Sequence, residues 1–147
     1  MADLSAFAEL VPLDHGLCVV NTLRGDGSVQ SSVVNAGVLD HPVRAERVVG
    51  LVAMGGSRKL RNLRADPRVT LHVASKDFWT WVAVEGTAEL TPVAADPHDA
   101  TVEELVTYYR ALRGEHEDWG AYRAAMVADR RLVVRFLPQH TYGQLRG

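Results

Sequence analysis

The sequence predicts a mainly β protein, a largely antiparallel barrel of six strands with helical inserts. Three observations carry this. Short runs rich in Val, Leu and Thr recur between Gly16 and Leu137, most of them joined by turns of hairpin length. The hydrophobic period turns helical in only a few places, after Ser57 and again from Thr101. Long crossovers are too few for a doubly wound parallel sheet. A chain of 147 residues, 1–147, suits one domain with a proper core.

The elements follow in order. Asp3 is placed to cap a short helix from Leu4 to Leu10, which Pro12 ends. The stretch from Gly16 to Leu23 reads as the first strand, and Gly25-Asp26-Gly27 as a hairpin turn. The second strand runs from Val29 to Leu39, and its front half, Gln30-Ser31-Ser32, is unexpectedly polar. Asp40-His41-Pro42 breaks the chain before the third strand, Val48 to Met54. A short helix follows until Ala65-Asp66-Pro67, since proline disfavours helix at the residue before it. Val69 to Val73 alternates as the fourth strand. Phe78 to Leu90 reads as one long fifth strand, with Trp79, Trp81 and Ala83 on one face and Thr80, Val82 and Val84 on the other. Thr101-Val102-Glu103-Glu104 has the pattern of a capping box and opens a helix to about Arg113. Asp118 caps a further helix carrying Trp119, Tyr122 and Met126, and Leu132 to Leu137 is the sixth strand, ended by Pro138.

Composition sets aside several classes. Hydrophobic residues are 47% and charged residues 23%, ordinary soluble-protein usage. A net charge of −2 gives no global field for nucleic acid or an anionic membrane. No apolar run approaches a membrane span, and Met1-Ala2-Asp3-Leu4-Ser5 lacks the pattern of a signal peptide, so a cytoplasmic location is expected. Cys18 stands alone in an apolar run and reads as packing. His15, His41, His98 and His116 lack metal-ligand spacing, and no metal site is expected. His72 alternates with apolar strand residues and reads as packed, while His140 suits a site or a surface equally. No nucleophile elbow or triad order stands out, and no catalytic side chain is named.

One stretch carries chemistry. Val52 to Leu63 reads as a strand end, the turn Gly55-Gly56, and a helix opening at the N-cap Ser57. Free N–H groups of the first helical turn, with Arg58, Lys59 and Arg61 beside them, make a site for a phosphate-type anion. The chain has fourteen arginines and two lysines, so Lys59 departs from local habit. A basic first turn also describes a solvated helix face, although cations there oppose the macrodipole. There is no P-loop, and Gly25-Asp26-Gly27 lacks the rest of a dinucleotide fingerprint.

Gly56-Ser57-Arg58-Lys59, followed by Arg64-Ala65-Asp66-Pro67-Arg68-Val69, resembles the split-barrel flavoproteins typified by pyridoxamine-5′-phosphate oxidase. Three further blocks are similar to the actinobacterial branch that uses the deazaflavin coenzyme F420. They are Val84-Glu85-Gly86-Thr87-Ala88-Glu89-Leu90-Thr91-Pro92, Gly114 to Trp119 together with Tyr122 to Arg131, and His140-Thr141-Tyr142-Gly143. The resemblance implies a six-stranded split β-barrel homodimer with cofactor sites at its interface. It implies that Gln30, Ser31, Ser32 and Val33 run along the cofactor ring, with Met54 and Gly55 beside the ring or ribityl chain. Ser57, Arg58 and Lys59 would hold the phosphate, and Asn62 would brace the loop or touch the cofactor. Trp79 and Trp81, with Phe78, would close over the cofactor from the partner, although tryptophan in such a strand is also ordinary core. Arg61 and Arg64 are available to an oligoglutamate tail. The oxidase's own set for its substrate phosphate is not recognisable around Arg135 and His140, which sets vitamin B6 oxidation aside.

Three functions follow from the resemblance. The first is hydride transfer from reduced F420 to a small electron-poor acceptor such as an enone or quinone. The second is an FMN-dependent oxidoreductase of the same fold. The third is a non-enzymatic cofactor or haem carrier.

Overall fold

The computed structural model describes residues 3–145. Met1 and Ala2, part of the segment read for a signal pattern, lie outside them, as do Arg146 and Gly147. Eight strands rather than the expected six form one antiparallel sheet. They are β1 Leu17–Leu23, β2 Val29–Asp40, β3 Arg47–Met54, β4 Arg68–Ala74, β5 Trp81–Thr87, β6 Glu89–Leu90, β7 Arg131–Phe136 and β8 Pro138–Gln144. Their order in the sheet is β6-β7-β3-β2-β1-β4-β5-β8.

The difference from six has local causes. Phe78 adopts a φ of 65°. Asp77 holds that turn, its Oδ1 accepting from the Ser75 hydroxyl at 2.7 Å and the Trp79 amide at 3.0 Å. The ladder therefore starts at Trp81, and Trp79 is not in the strand. The Ala88 amide donates to the Pro67 carbonyl at 2.8 Å, which separates β5 from β6. Pro138 does not end the sheet; it opens β8, an edge strand, where a missing N–H is tolerated.

β5 pairs with β8 while β6 pairs with β7, and single residues, Ala88 and Leu137, link the members along the chain. The two ends of the sheet are thereby joined, and the sheet curls into a split barrel. A Cβ on Gly86 at this corner would lie 2.5 Å from the Phe136 ring, so the close approach requires glycine.

Alternation decides what fills and what covers the barrel. Val20, Leu51, Leu71, Val84 and Val134 point inward to meet Phe7 of α1 (Ser5–Leu10) and Leu60 and Leu63 of α2 (Arg58–Ala65). Asp3 accepts from the Ser5 amide and hydroxyl, but the N-cap is Leu4, with no side-chain cap. Pro12 does not end the chain's helical path. It sits at the start of a 3-10 turn, Val11–Asp14, where its missing N–H costs nothing. Cys18 is buried, and burial pushes its thiol up to about 12. No helix among the described residues is long and apolar enough to cross a membrane.

Val133 points outward and packs with Val102, Leu105 and Val106 of α3 (Ala100–Arg113) and Tyr122 of α4 (Trp119–Ala128). On the sheet's other stretch, Val33, Val19, His72, Ala83 and Tyr142 fall in one row across β2, β1, β4, β5 and β8. Val33 and Tyr142 are exposed there.

The expected capping box is not the cap of α3. Asp99 is the N-cap, its carboxylate accepting from Val102, Ala95 and Asp96 amides at 2.8–3.1 Å. Thr101 instead donates to the Pro92 carbonyl, and Glu104 pairs with Arg135 at 2.5 Å. Asp99→Ala should cost about 1–2 kcal/mol in urea unfolding. Thr101→Val should cost only the one lost bond, about 1 kcal/mol.

Candidate functional site

The Met54–Ser57 turn links β3 to α2. Gly56 has a φ of 87°, a conformation glycine adopts without strain, and a Cβ there would meet nothing within 4 Å. Gly55 makes a close contact within the chain. Its amide donates to the Arg130 carbonyl at 2.7 Å, and a Cβ would lie 3.0 Å from that oxygen. Its bare Cα thus serves contact with another turn of the same chain. Ser57 caps α2, its Oγ accepting from the Leu60 amide at 3.4 Å. The first two amides of the helix, those of Arg58 and Lys59, have no intrahelical acceptor.

This packing brings distant cations together. Arg130, with a φ of 53°, ends the turn after α4, and Arg131 pairs with Met54 across β7 and β3. Burial, and then the charge of Arg131, hold the Lys59 ammonium below the ordinary lysine value. The Nε of Arg131 is buried without a hydrogen-bond partner, its nearest carboxylate being Asp129 at 4.0 Å. No aspartate or glutamate among the described residues forms an ion pair with Arg58, Lys59, Arg61 or Arg64.

Lys59 and Arg131 open into a cleft of about 870 Å³ between β2, β3 and the two outer helices. Its wall includes Val33 and Val52 of the sheet, Tyr109 of α3, and Tyr122 and Met126 of α4. Tyr109 and Tyr122 stack edge-to-face at 5.1 Å, and the Tyr122 hydroxyl donates to the Leu105 carbonyl at 3.0 Å, so this aromatic wall is fixed. Arg47, Lys59, Arg113 and Arg131 line the cleft, and no carboxylate among the described residues does. In a chain of net charge −2 such sorting of charge gives the cleft a local positive field that favours an anion.

A second cavity, of about 760 Å³, lies on the other side of Tyr108. There the charges neutralise each other. Glu89 meets His41 and Arg135 at 3.1 Å and Arg44 at 2.9 Å, and Arg135 also holds Glu104. His41 Nδ1 accepts from the Val43 and Arg44 amides, which leaves Nε2–H to donate to Glu89.

The sequence-predicted residues divide. Val33 and Lys59 line the cleft. Asn62 is buried, and its Nδ2 donates to Thr22 at 3.1 Å and Gln30 at 2.9 Å, bracing α2 against the first hairpin. Ser31 donates to Asn21 at 2.5 Å, and Ser32 sits opposite Val20. Met54 and Arg58 are exposed beside the turn, while Arg61 and Arg64 are exposed and line neither cavity. Trp81 stacks on His72 at 5.3 Å, and His140 stands opposite Glu85 on β8. Trp79 and Trp81 belong to the β5 end of the sheet, three strands from β2, about 14 Å at ordinary strand spacing. Within one chain they do not reach the cleft. Arg131, Tyr109 and Tyr122 were given no role at the site from sequence. The signal available was the doublet Arg130-Arg131 at a helix-to-strand junction, a second cationic pair beside the first.

A curled antiparallel sheet joined at its two ends, with a cationic turn between its third strand and a short helix, defines a class by its fold, the split β-barrel proteins. The family model described as pyridoxamine 5′-phosphate oxidase matches residues 5–144, and the chain belongs to that family. Among solved structures it is similar to the conserved hypothetical protein Rv2991 from Mycobacterium tuberculosis, with 21% identity and a TM-score of 0.70 over 98% of this chain and 85% of that one. A structure described as an F420 reductase gives 20% identity and a TM-score of 0.64, over 97% and 98%. HutZ, described as the heme storage protein from Vibrio cholerae, gives 11% and 0.62, over 96% and 94%. At these identities the likeness is one of fold.

The residues present fit a phosphorylated cofactor of the flavin type. Lys59 and the unpartnered Nε of Arg131 suit its phosphate, and the valine–tyrosine wall suits a flat ring. Inorganic phosphate should bind most tightly while Lys59 is protonated. Because the Lys59 pKa is lowered, affinity should fall with rising pH at a midpoint below 10.5. Lys59→Arg should remove that fall over the same range, as calorimetry would record.

Proposed function

We propose that the protein is an F420H2-dependent oxidoreductase acting on a small electron-poor acceptor such as an enone or quinone. The observation that carries the reading is the carboxylate-free cleft with Lys59 and Arg131 at one end and an aromatic wall beside them. A bound reduced deazaflavin supplies a hydride from its ring carbon. The chain's contribution is positional. Lys59, Arg131 and the amino end of α2 fix the phosphate, while Val33 and Tyr109 confine the ring and limit water. No side chain is assigned as general acid, since solvent can protonate the product.

A homodimer completes the proposal. The exposed apolar side chains at the two ends of that row, Val33 and Tyr142, support a second copy as its cover, and Trp79 and Trp81 would then meet the partner's cofactor. Light scattering should give twice the chain mass, and Val29→Glu, on the same exposed stretch, should shift it toward the monomer.

FMN carries the same phosphate and is the second reading; haem carriage is the third. A fluorescence and absorbance titration with F420, FMN and haem side by side tests all three. F420 is expected to bind most tightly, and Lys59→Ala should weaken it by about 1.5–3 kcal/mol. Tighter binding of FMN or haem, or an unchanged constant in the variant, would overturn the assignment. Turnover with quinones and enones follows from a positive titration.

A further inference from the structure

We infer that the cleft contains a second anion subsite, formed by Arg47 and Arg113, that takes a carboxylate at the far end of the bound molecules. Both guanidinium groups line the cleft that holds Lys59 and Arg131. Nη2 of Arg47 donates to the Val38 carbonyl at 3.2 Å, which folds the side chain back over β2. The end of α3 arrives at the same place. A Cβ on Gly37 would lie 2.1 Å from the Leu112 side chain, so Leu112 packs on bare β2 backbone and Arg113 follows it.

The two cationic ends are well separated. Val49 faces Val38 on β2, and Met54 faces Arg131 on β7. Five residues of extended strand between Val49 and Met54 span about 17 Å. Between the ends the lining is apolar and aromatic, with Val52, Tyr109 and Met126 among it. A phosphate at one end therefore leaves the other pair of cations for a different negative group.

Structural roles account for these arginines only in part. Arg113 in the last turn of α3 complements the helix dipole, and no carboxylate among the described residues pairs with it. Arg47 is 3.7 Å from Asp40, but both side chains are largely in water, where such a pair contributes little. The planar fork of arginine matches a carboxylate in two bonds. The inference relies on the cofactor reading only for the source of that carboxylate, either the oligoglutamate tail of F420 or an acidic acceptor.

The test compares wild type with the Arg47→Gln/Arg113→Gln double variant and with Asp40→Asn. Four ligands are titrated: F420, FMN, a carboxylated naphthoquinone and its methyl ester, the quinones by calorimetry. Loss of the subsite should weaken one carboxylate ligand by about tenfold or more. Weakened F420 with unchanged FMN assigns the site to the tail. A weakened acid with an unchanged ester assigns it to the acceptor. Asp40→Asn should leave all constants within about twofold, because it removes the ion pair and keeps the cation. Equal constants for the double variant and wild type, or an Asp40→Asn effect equal to the double variant's, would overturn the inference. If the double variant does not fold, the salt dependence of the wild type decides. Steeper weakening with salt for the acid than for the ester supports the subsite, and equal slopes reject it. Should wild type bind neither F420 nor FMN, the cofactor reading fails, and the acid–ester comparison still decides the subsite.

Discussion

The amide of Gly55 and the carbonyl of Arg130 meet at 2.7 Å, and through that bond the end of β3 is tied to the start of β7. On one side of the tie stands α2 with Ser57 and Lys59; on the other stands Arg131, reached through α4. Neither half makes a site alone. A helix end with cations beside it is common on protein surfaces, and a lone arginine at a strand start is unremarkable. Held against each other over an apolar wall, they produce two positive charges, one partly desolvated and one with an unpartnered Nε. Bringing two such charges together opposes folding, and an anion between them would offset that cost and couple its binding to stability.

Much of the barrel was legible because its strands alternate or run apolar between clear turn signals. β1 to β4 and α2 fall within a residue or so of their expected bounds. What stayed hidden was the corner. A turn at Asp77 is legible, but Phe78 to Leu90 has strand composition throughout, and nothing local says that the turn will take in Phe78 and Trp79 or that the Ala88 amide will leave the ladder for Pro67. Pro138 misled for the opposite reason: proline is a stop in a central strand and a permissible start on an edge. The α3 cap was misread because two acceptable patterns overlap, and Asp99 satisfies three amides where Thr101 offered one.

The site was legible on one bank only. The Gly56-Ser57-Arg58-Lys59 stretch is contiguous, so its chemistry can be read from spacing. Its counterpart lies far along the chain and enters by strand pairing, which no spacing rule reports. Asn62 illustrates a subtler limit. From sequence it suited a brace or a cofactor contact equally, and only the fold shows both of its N–H groups donating to Thr22 and Gln30, which holds the helix that presents Lys59.

The pairing of β5 with β8 and of β3 with β7 has a kinetic side. Tyr142 reaches Glu85 across 57 residues of chain, and Arg135 reaches Glu89 across 46. Loop closure of that length must precede any gain from the contacts it enables, so the β1–β2 hairpin can assemble early while the groove waits for the last joins. Until then the flank of β5 has no neighbour on one side, and newly made chains are most prone to pair with one another there.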